Sequence, residues 1–583
     1  MITRRLATLA LPLSLATGAV AQTSTPAPRP ASAPAIQSDA AVALPFIGTV
    51  SAADPRAQAA GMAMLRQGGS ATDAALATML ALTVVEPQSS GIGGGGFYVR
   101  GTAAGEVETI DGRETAPSGA TPEWFLAEDG SVPPFMDSVL SGLSVGVPGN
   151  IALAARAHDR FGKLPWAALF EPAIELAREG FAINLRLAKY LEDLPERAGA
   201  VPSARALFYD AAGRPHPAGH IVRNERLAQT FERIAAEGAE AFYSGAIAEE
   251  IAGTVATRTP HDAAMTLADI ATYRAVERDG VCGSYRGYRV CGMGPPSSGG
   301  IAVLQILGQL ERFDLAALGL YDPLTWHLFV ESQRLAYADR ELYIADSDFV
   351  SVPVAGLIDA GYIARRSDLI SLETSMAEAA PGRPAGADTA LADGDEPEEH
   401  GTSHIAAVDP DGTMISYTST IEGVFGSSLM AGGFYLNNEL TDFSRSPTVE
   451  GVPVANRVEP GKRPRSSMAP TVVWDPQGRP VLAIGAAGGP TIPVQTARGI
   501  IGVVDFGLSA KEALGLPFIM GFGDTVMVEE GTWLETAISS LQELGHAKVV
   551  VREAPLKGGA VKREGAIWEA ARDPRIDRGV TVP

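Results

Sequence analysis

The sequence predicts a mixed α/β (α+β) protein, and three stretches carry that prediction. Residues 52–86 have a helical pattern: Asp54-Pro55 opens one helix, Gly68-Gly69 stops it, and Ser70 caps a second that runs through Ala74 to Val85. Strand-like pieces follow at Phe97–Arg100 and Val107–Asp111. A β-hairpin is expected where His404–Asp409 and Thr413–Thr420 flank the turn Asp409–Gly412 (DPDG), because Asp, Pro and Gly favour chain reversal. Several helical segments occupy residues 145–280. A further helix starts at Asp322-Pro323 and carries Trp326, Phe329, Val330 and Tyr337 at helical spacing.

The 583 residues exceed what one simple core holds, so two or more domains, or one large intertwined domain, are expected. The net charge of −22, from 46 basic and 68 acidic residues, argues against nucleic acid and anionic membrane surfaces as partners, since both repel an acidic protein. Residues 1–21 have the layout of an export signal: Arg4 and Arg5, an apolar run from Leu6 to Val20, and a small-x-small site at Ala19–Ala21. Pro12 and Gly18 interrupt that short run, so it reads as a cleaved signal rather than a membrane anchor, and no later stretch reads as a transmembrane span. A periplasmic or secreted protein is expected. Residues 22–40, rich in Pro, Ala and Ser, read as a disordered leader.

The two cysteines are Cys282 and Cys291. A two-residue turn at Arg286-Gly287 pairs Tyr285 with Tyr288, Ser284 with Arg289, Gly283 with Val290 and Cys282 with Cys291. The last pair falls at a non-hydrogen-bonded position, where strands come closest. In an oxidising compartment such a pair is either a cross-strand disulfide or two buried thiols, and the sequence leaves both open.

Residues 375–400 carry many carboxylates and few apolar side chains, which predicts a solvated, mobile segment. A long segment of this kind that ends abruptly at the head of a strand fits a chain that is cut there. Thr402 stands at that junction. A threonine hydroxyl needs an adjacent base to act as a nucleophile, and a free α-amino group on the same residue, with a pKa of about 8, is one. That amine exists only after the Gly401–Thr402 bond breaks, so activation would be proteolytic. An isolated Gly-Thr at a strand start is ordinarily just a turn, and the dipeptide alone carries no function.

Seven blocks in order give it a context: Pro87–Gly96 (PQSSGIGGGG), Asp111–Glu114 (DGRE), Pro295–Gly300 (PPSSGG), Ala336–Arg340 (AYADR), Gly401–His404 (GTSH) with Tyr417–Thr420 (YTST), Lys462–Met468 (KRPRSSM) and Ala486–Gly489 (AAGG). Together they resemble the gamma-glutamyltransferase (glutathione hydrolase) family, from about residue 50 to Asp573–Arg575. The resemblance implies an N-terminal-nucleophile hydrolase fold, an αββα sandwich of two stacked antiparallel sheets flanked by helices. It implies a precursor that cleaves itself between Gly401 and Thr402 into a large chain, 41–401 with the tail 375–401, and a small chain, 402–583.

The same resemblance implies residue roles. Thr402 attacks the amide of a γ-glutamyl donor such as glutathione, and the acyl-enzyme is released by water or by an amino-acid or peptide amine. Thr420 orients Thr402, and Gly488 and Gly489 supply an oxyanion hole, where glycine lets the backbone approach developing charge. Arg113 pairs with the donor α-carboxylate, aided by Ser466 and Ser467, while Glu439 and Asp442 hold the α-ammonium.

Two features depart from the family pattern. Glu422 stands where better-known members carry an asparagine; a third carboxylate there would strengthen ammonium binding or change the preferred donor. The stretch Phe443–Pro460 is shorter than the aromatic-bearing lid of some bacterial members and has no Tyr or Trp. An uncovered site would admit bulkier donors and more water. Competing readings are a related acylase acting on glutaryl or cephalosporin-type amides, a poly-γ-glutamate hydrolase, or an uncleaved binding protein of the same fold. Gly91–Gly96 meets a G-x-G-x-x-G template but precedes a strand rather than a helix, which excludes a dinucleotide loop. Ser297-Ser298 before Gly-Gly reads as a helix N-cap, and His404 as structural. No cofactor or metal is predicted.

Overall fold

The computed structural model describes residues 46–260, 264–387, 391, 392, 394, 401–554 and 556–580. The export signal and the leader lie outside the described residues. Helix formation at the start follows the capping chemistry. Asp54 accepts the Arg56 N–H and Pro55 opens helix Pro55–Arg66, while Ser70 and Asp73 form a reciprocal capping box on helix Ala71–Val85. That second helix is apolar around its circumference and buried along its whole length, so it serves as an inner wall rather than a surface helix.

Two six-stranded antiparallel sheets form the centre. In the first, the order is Thr49–Ser51, Ser403–Val408, Met414–Thr420, Gly95–Gly101, Val107–Asp111, Val276–Arg278. In the second it is Ile567–Arg572, Gly559–Glu564, Pro480–Gly485, Thr471–Trp474, Tyr288–Gly292, Val281–Tyr285. The sheets pack face to face. Helices Pro55–Arg66, Ala71–Val85 and Asn150–Phe161 cover the outer face of the first, Gly299–Leu310 and Ile492–Val504 cover the second, and Pro323–Tyr343 packs against Gly299–Leu310. This is the αββα order expected from the family resemblance. Each sheet draws strands from both sides of the Gly401–Thr402 junction, and Phe46–Pro583 form one compact unit. The larger of the two sequence-level alternatives, one intertwined domain, describes that unit.

The hairpin Ser403–Thr420 turns at Asp409–Gly412, with the Gly412 N–H donating to the Asp409 carbonyl at 3.0 Å. The hairpin Val281–Gly292 turns at Arg286 (φ 51) and Gly287 (φ 78), which sets Cys282 opposite Cys291 with 4.1 Å between their Cα atoms, and a disulfide joins them. A third sheet, Ile519–Phe522, Thr525–Glu529 and Lys548–Arg552, has a parallel last pair and was not foreseen. Short apolar runs of this kind fit helix or strand equally until packing decides.

Two sequence expectations need correction. Residues 375–387 are not simply solvated: Glu331 accepts the Met376 N–H at 2.6 Å, Asp339 accepts the Gly382 N–H at 2.7 Å, and Tyr343 donates to the Gly382 carbonyl at 2.6 Å. Composition failed there because backbone groups, not side chains, make the attachment. Most of the acidic run that follows lies outside the described residues. Ser298 occupies the N-cap position of Gly299–Leu310, but its hydroxyl donates to the Ser466 carbonyl at 2.7 Å instead of capping; Ser297 accepts the Gly299 N–H at 3.1 Å. Among the described residues no helix is long and apolar enough to cross a membrane.

Candidate active site

Thr402 immediately precedes strand Ser403–Val408, whose antiparallel partner ends at Thr420, so both residues arrive at the same end of the hairpin. The Thr402 hydroxyl donates to Thr420 Oγ1 at 3.0 Å, and Thr420 Oγ1 also accepts the Glu422 N–H at 2.8 Å. On the next inward-facing pair, His404 Nδ1 meets Thr418 Oγ1 at 2.9 Å. Burial among the two sheets pushes His404 down to about 3, so it is neutral and structural, as its sequence position suggested.

The backbone at the junction is strained. Thr402 has φ 84, a region that a β-branched residue occupies at a cost of about 1–3 kcal/mol. Its N–H donates to the Ser89 carbonyl at 2.7 Å, which helps hold that conformation. The Gly401 carbonyl carbon defines this torsion, so breaking the Gly401–Thr402 bond abolishes the strain. Gly401 itself sits under the chain at Glu422: a Cβ would lie 1.9 Å from the Glu422 carbonyl oxygen, which only glycine avoids.

A small cavity of about 20 Å³ lies over Thr402, lined in part by Arg113, Thr420, Glu422, Glu439, Asp442 and Gly489. Ser466 and Ser467 also line it. Gly488 (φ 126) and Gly489 (φ 55) form the turn beside Thr402, and both torsions favour glycine. Among the described residues neither N–H donates to a backbone carbonyl outside the helices and strands. Residues 443–460 contribute nothing to the cavity lining; Phe443 and Val458 pack instead with Trp124, Phe125 and Leu440.

At the charged end, Arg113 bonds to Glu439 and Asp442, with Glu114 at 3.9 Å and the Pro464 and Arg465 carbonyls at 3.2 and 3.0 Å. The groups expected to meet opposite charges of a ligand therefore hold one another. Glu422, Glu439 and Asp442 each bring a carboxylate oxygen within 4.8 Å of the others, a nest for a cation such as an ammonium. Glu114 was not foreseen as part of this cluster. Burial, then the neighbouring Glu439, pushes its carboxyl well above the ordinary range; burial also raises Glu439, against the pull of Arg113.

Two of the sequence blocks find their purpose here. Arg340 donates to Ser467 Oγ at 2.6 Å and to Ser298 Oγ at 2.9 Å, and so fixes the serine pair from behind. Ser466 Oγ accepts the Met468 N–H at 3.2 Å, leaving its own proton to donate.

Sequence reasoning missed Lys557 entirely. Its buried ammonium donates to the Thr402 carbonyl and Ser403 Oγ, both at 2.9 Å, and to Glu86 at 2.7 Å; its own carbonyl accepts the Ala487 N–H at 3.1 Å. One residue thus ties Thr402 to the segment that leads into the Gly488-Gly489 turn. Burial lowers Lys557 to about 8 although Glu86 opposes the shift. Burial alone would raise Glu86, but Arg186 and Lys557 outweigh it and hold the carboxylate at about 2. Nothing in a lysine before Gly-Gly signals this, because the partners of its ammonium are 154 to 471 residues away.

The arrangement can polarise an amide carbonyl, attack it with a threonine hydroxyl, and hold a zwitterionic head group. The sequence matches the gamma-glutamyltranspeptidase family model over residues 57–582. It is 37% identical over 511 residues to the glutathione hydrolase proenzyme of Bacillus subtilis, covering 86% of this chain and 85% of the relative. It is 36% identical over 546 residues to the glutathione hydrolase proenzyme of Escherichia coli, covering 91% and 90%. The cephalosporin acylase structure from Bacillus halodurans superposes with a TM-score of 0.79 at 28% identity, over 91% of this chain and 95% of that one. Since the matched region takes in every strand of the two sheets but Thr49–Ser51, together with Thr402 and the residues around its cavity, the chain belongs to the gamma-glutamyltranspeptidase family.

Proposed function

We propose that this chain is an exported precursor that cuts itself between Gly401 and Thr402 and then transfers γ-glutamyl groups, from donors such as glutathione, to water or to amino-acid and peptide amines. The observation that carries the reading is one guanidinium, bonded to Glu439 and Asp442, beside a nest of three carboxylates at the cavity next to Thr402. An α-amino-acid head group brings both signs of charge; on binding, its carboxylate takes the place of Glu439 or Asp442 on Arg113 and its ammonium enters the carboxylate nest. Thr402 Oγ1 then adds to the γ-carbonyl, its proton passes to the freed α-amine, and the Gly488 and Gly489 N–H groups meet the oxyanion. Collapse expels the leaving amine with that proton, and the acyl ester is released by water or an acceptor.

The acylase structural relative favours a second reading, in which the donor carries a glutaryl or similar acyl group. Such a donor needs the cation but not the carboxylates. Intact mass of the purified protein is expected to show a small chain beginning at Thr402, and γ-glutamyl anilide is expected to be cleaved faster than glutaryl anilide. Faster glutaryl cleavage would transfer the assignment to the acylases, and a single uncut chain would support a binding protein.

Lys557 gives a pH signature. Its ammonium bonds to the carbonyl of the residue whose α-amine is the base, so it disfavours the protonated amine once the chain is cut. Glu86 offsets part of that field. Lys557→Met is expected to shift the acidic limb of the kcat/KM–pH profile upward by about one unit, and Lys557→Arg to restore most of it. An unmoved limb in folded, processed Lys557→Met would show that the lysine is structural only.

A further inference from the structure

A groove of about 1220 Å³ lies beside the nucleophile cavity, and Pro490 lines both. Its floor is one face of the third sheet. Strand alternation brings Thr525, Met527 and Glu529, and from the parallel neighbour Lys548, Val550 and Arg552, to the same side. The opposite wall comes from helices Leu185–Asp193 and Pro574–Val580. The connection is a single turn, Gly489–Thr491: Gly489 faces the nucleophile cavity, Thr491 faces the groove, and Pro490, whose carbonyl accepts from Tyr337, belongs to both.

Six Lys and Arg side chains line the groove against three Glu, in a chain of net charge −22. Four of the six cations are committed: Arg186 to Glu86, Lys189 to Asp193, Arg575 to Glu529 and Asp573, and Lys548 to Asp524 at 3.7 Å. Arg552 and Arg578 are exposed and make no ion pair among the described residues. Between the charges the surface is apolar, with Phe522 53% exposed on the floor and Leu185 44% exposed on the wall.

We propose that this groove binds the amine side of the reaction and selects amines that combine apolar side chains with a carboxylate, as short peptides do, with Arg552 and Arg578 meeting the carboxylate. The proposal rests on the γ-glutamyl reading of the adjoining cavity. With the head group at Arg113 and the carbonyl at the Gly488-Gly489 turn, the rest of a donor passes Pro490 into the groove. An incoming amine takes the same path in reverse: its nitrogen bonds to the acyl carbon, the ester bond to Thr402 Oγ1 breaks, and the amine's proton returns to that oxygen.

The test compares hydrolysis of γ-glutamyl-leucylglycine with that of its C-terminal amide, in wild type and in an Arg552→Glu, Arg578→Glu double variant. Both positions are exposed, so the fold and the nucleophile cavity are left intact. For the carboxylate peptide, kcat/KM is expected to fall about tenfold in the variant and to become less salt-sensitive, while the amide and γ-glutamyl anilide change less than about twofold. Equal losses on peptide and amide, or no loss on either, overturn the groove assignment. If the wild type prefers glutaryl anilide, the donor reading fails separately, and the same carboxylate-to-amide comparison on glutaryl peptides decides the groove.

Discussion

Thr402→Ala is expected to remain a single uncut chain with turnover lowered by about 10⁴-fold or more. The substitution removes the hydroxyl that donates to Thr420 and nothing else that the surrounding structure depends on, since the backbone contacts to Ser89 and Lys557 survive. Thermal unfolding is therefore expected to stay close to that of the wild-type precursor, so that loss of cutting reports chemistry rather than misfolding. Loss of a covalent nucleophile removes the acyl-enzyme route altogether. Thr402→Ser keeps the hydroxyl and is expected to cut, more slowly, because the strained φ of 84 is less costly without a branched Cβ and so stores less energy in the scissile bond. Denaturing gels and intact mass give the readout. A Thr402→Ala chain that is still cut between Gly401 and Thr402 would assign the nucleophile elsewhere.

Substitution of Arg113 is the second large effect. Its guanidinium is 1% exposed and spans two carboxylates and two backbone carbonyls, a pattern that needs the planar fork. Arg113→Lys retains one charge but cannot bridge, and kcat/KM for γ-glutamyl anilide is expected to fall at least about 100-fold, most of it in KM. Arg113→Met leaves Glu439 and Asp442 without their cation beside the buried Glu114. Removing one partner of a buried ion pair costs about 3–5 kcal/mol, so this variant is expected to lose thermal stability as well. A KM for Arg113→Lys within threefold of wild type would mean that the head group is recognised elsewhere.

Local chemistry was legible in the sequence because each signal acts over a few residues. Asp54, Ser70 and Asp322 cap the helices they were expected to cap, and the DPDG turn and the Arg286-Gly287 turn set the two hairpins within one residue of their expected bounds. The ordered blocks pointed to the αββα arrangement and to the side chains that line the cavity over Thr402. What those side chains do to one another was not legible. That Arg113 is occupied by Glu439 and Asp442, that the Glu114 carboxyl is pushed above its ordinary range, and that Lys557 reaches the Thr402 carbonyl all depend on contacts across hundreds of residues. Charge and burial set those properties, and both come from how the sheets and their flanking helices pack. The sequence by itself determined where this chain turns and where its helices start, and it pointed to Thr402 as the centre of the proposed chemistry. Only the tertiary structure decided which charges face each other, because desolvation and Coulomb energy depend on distance in space rather than along the chain.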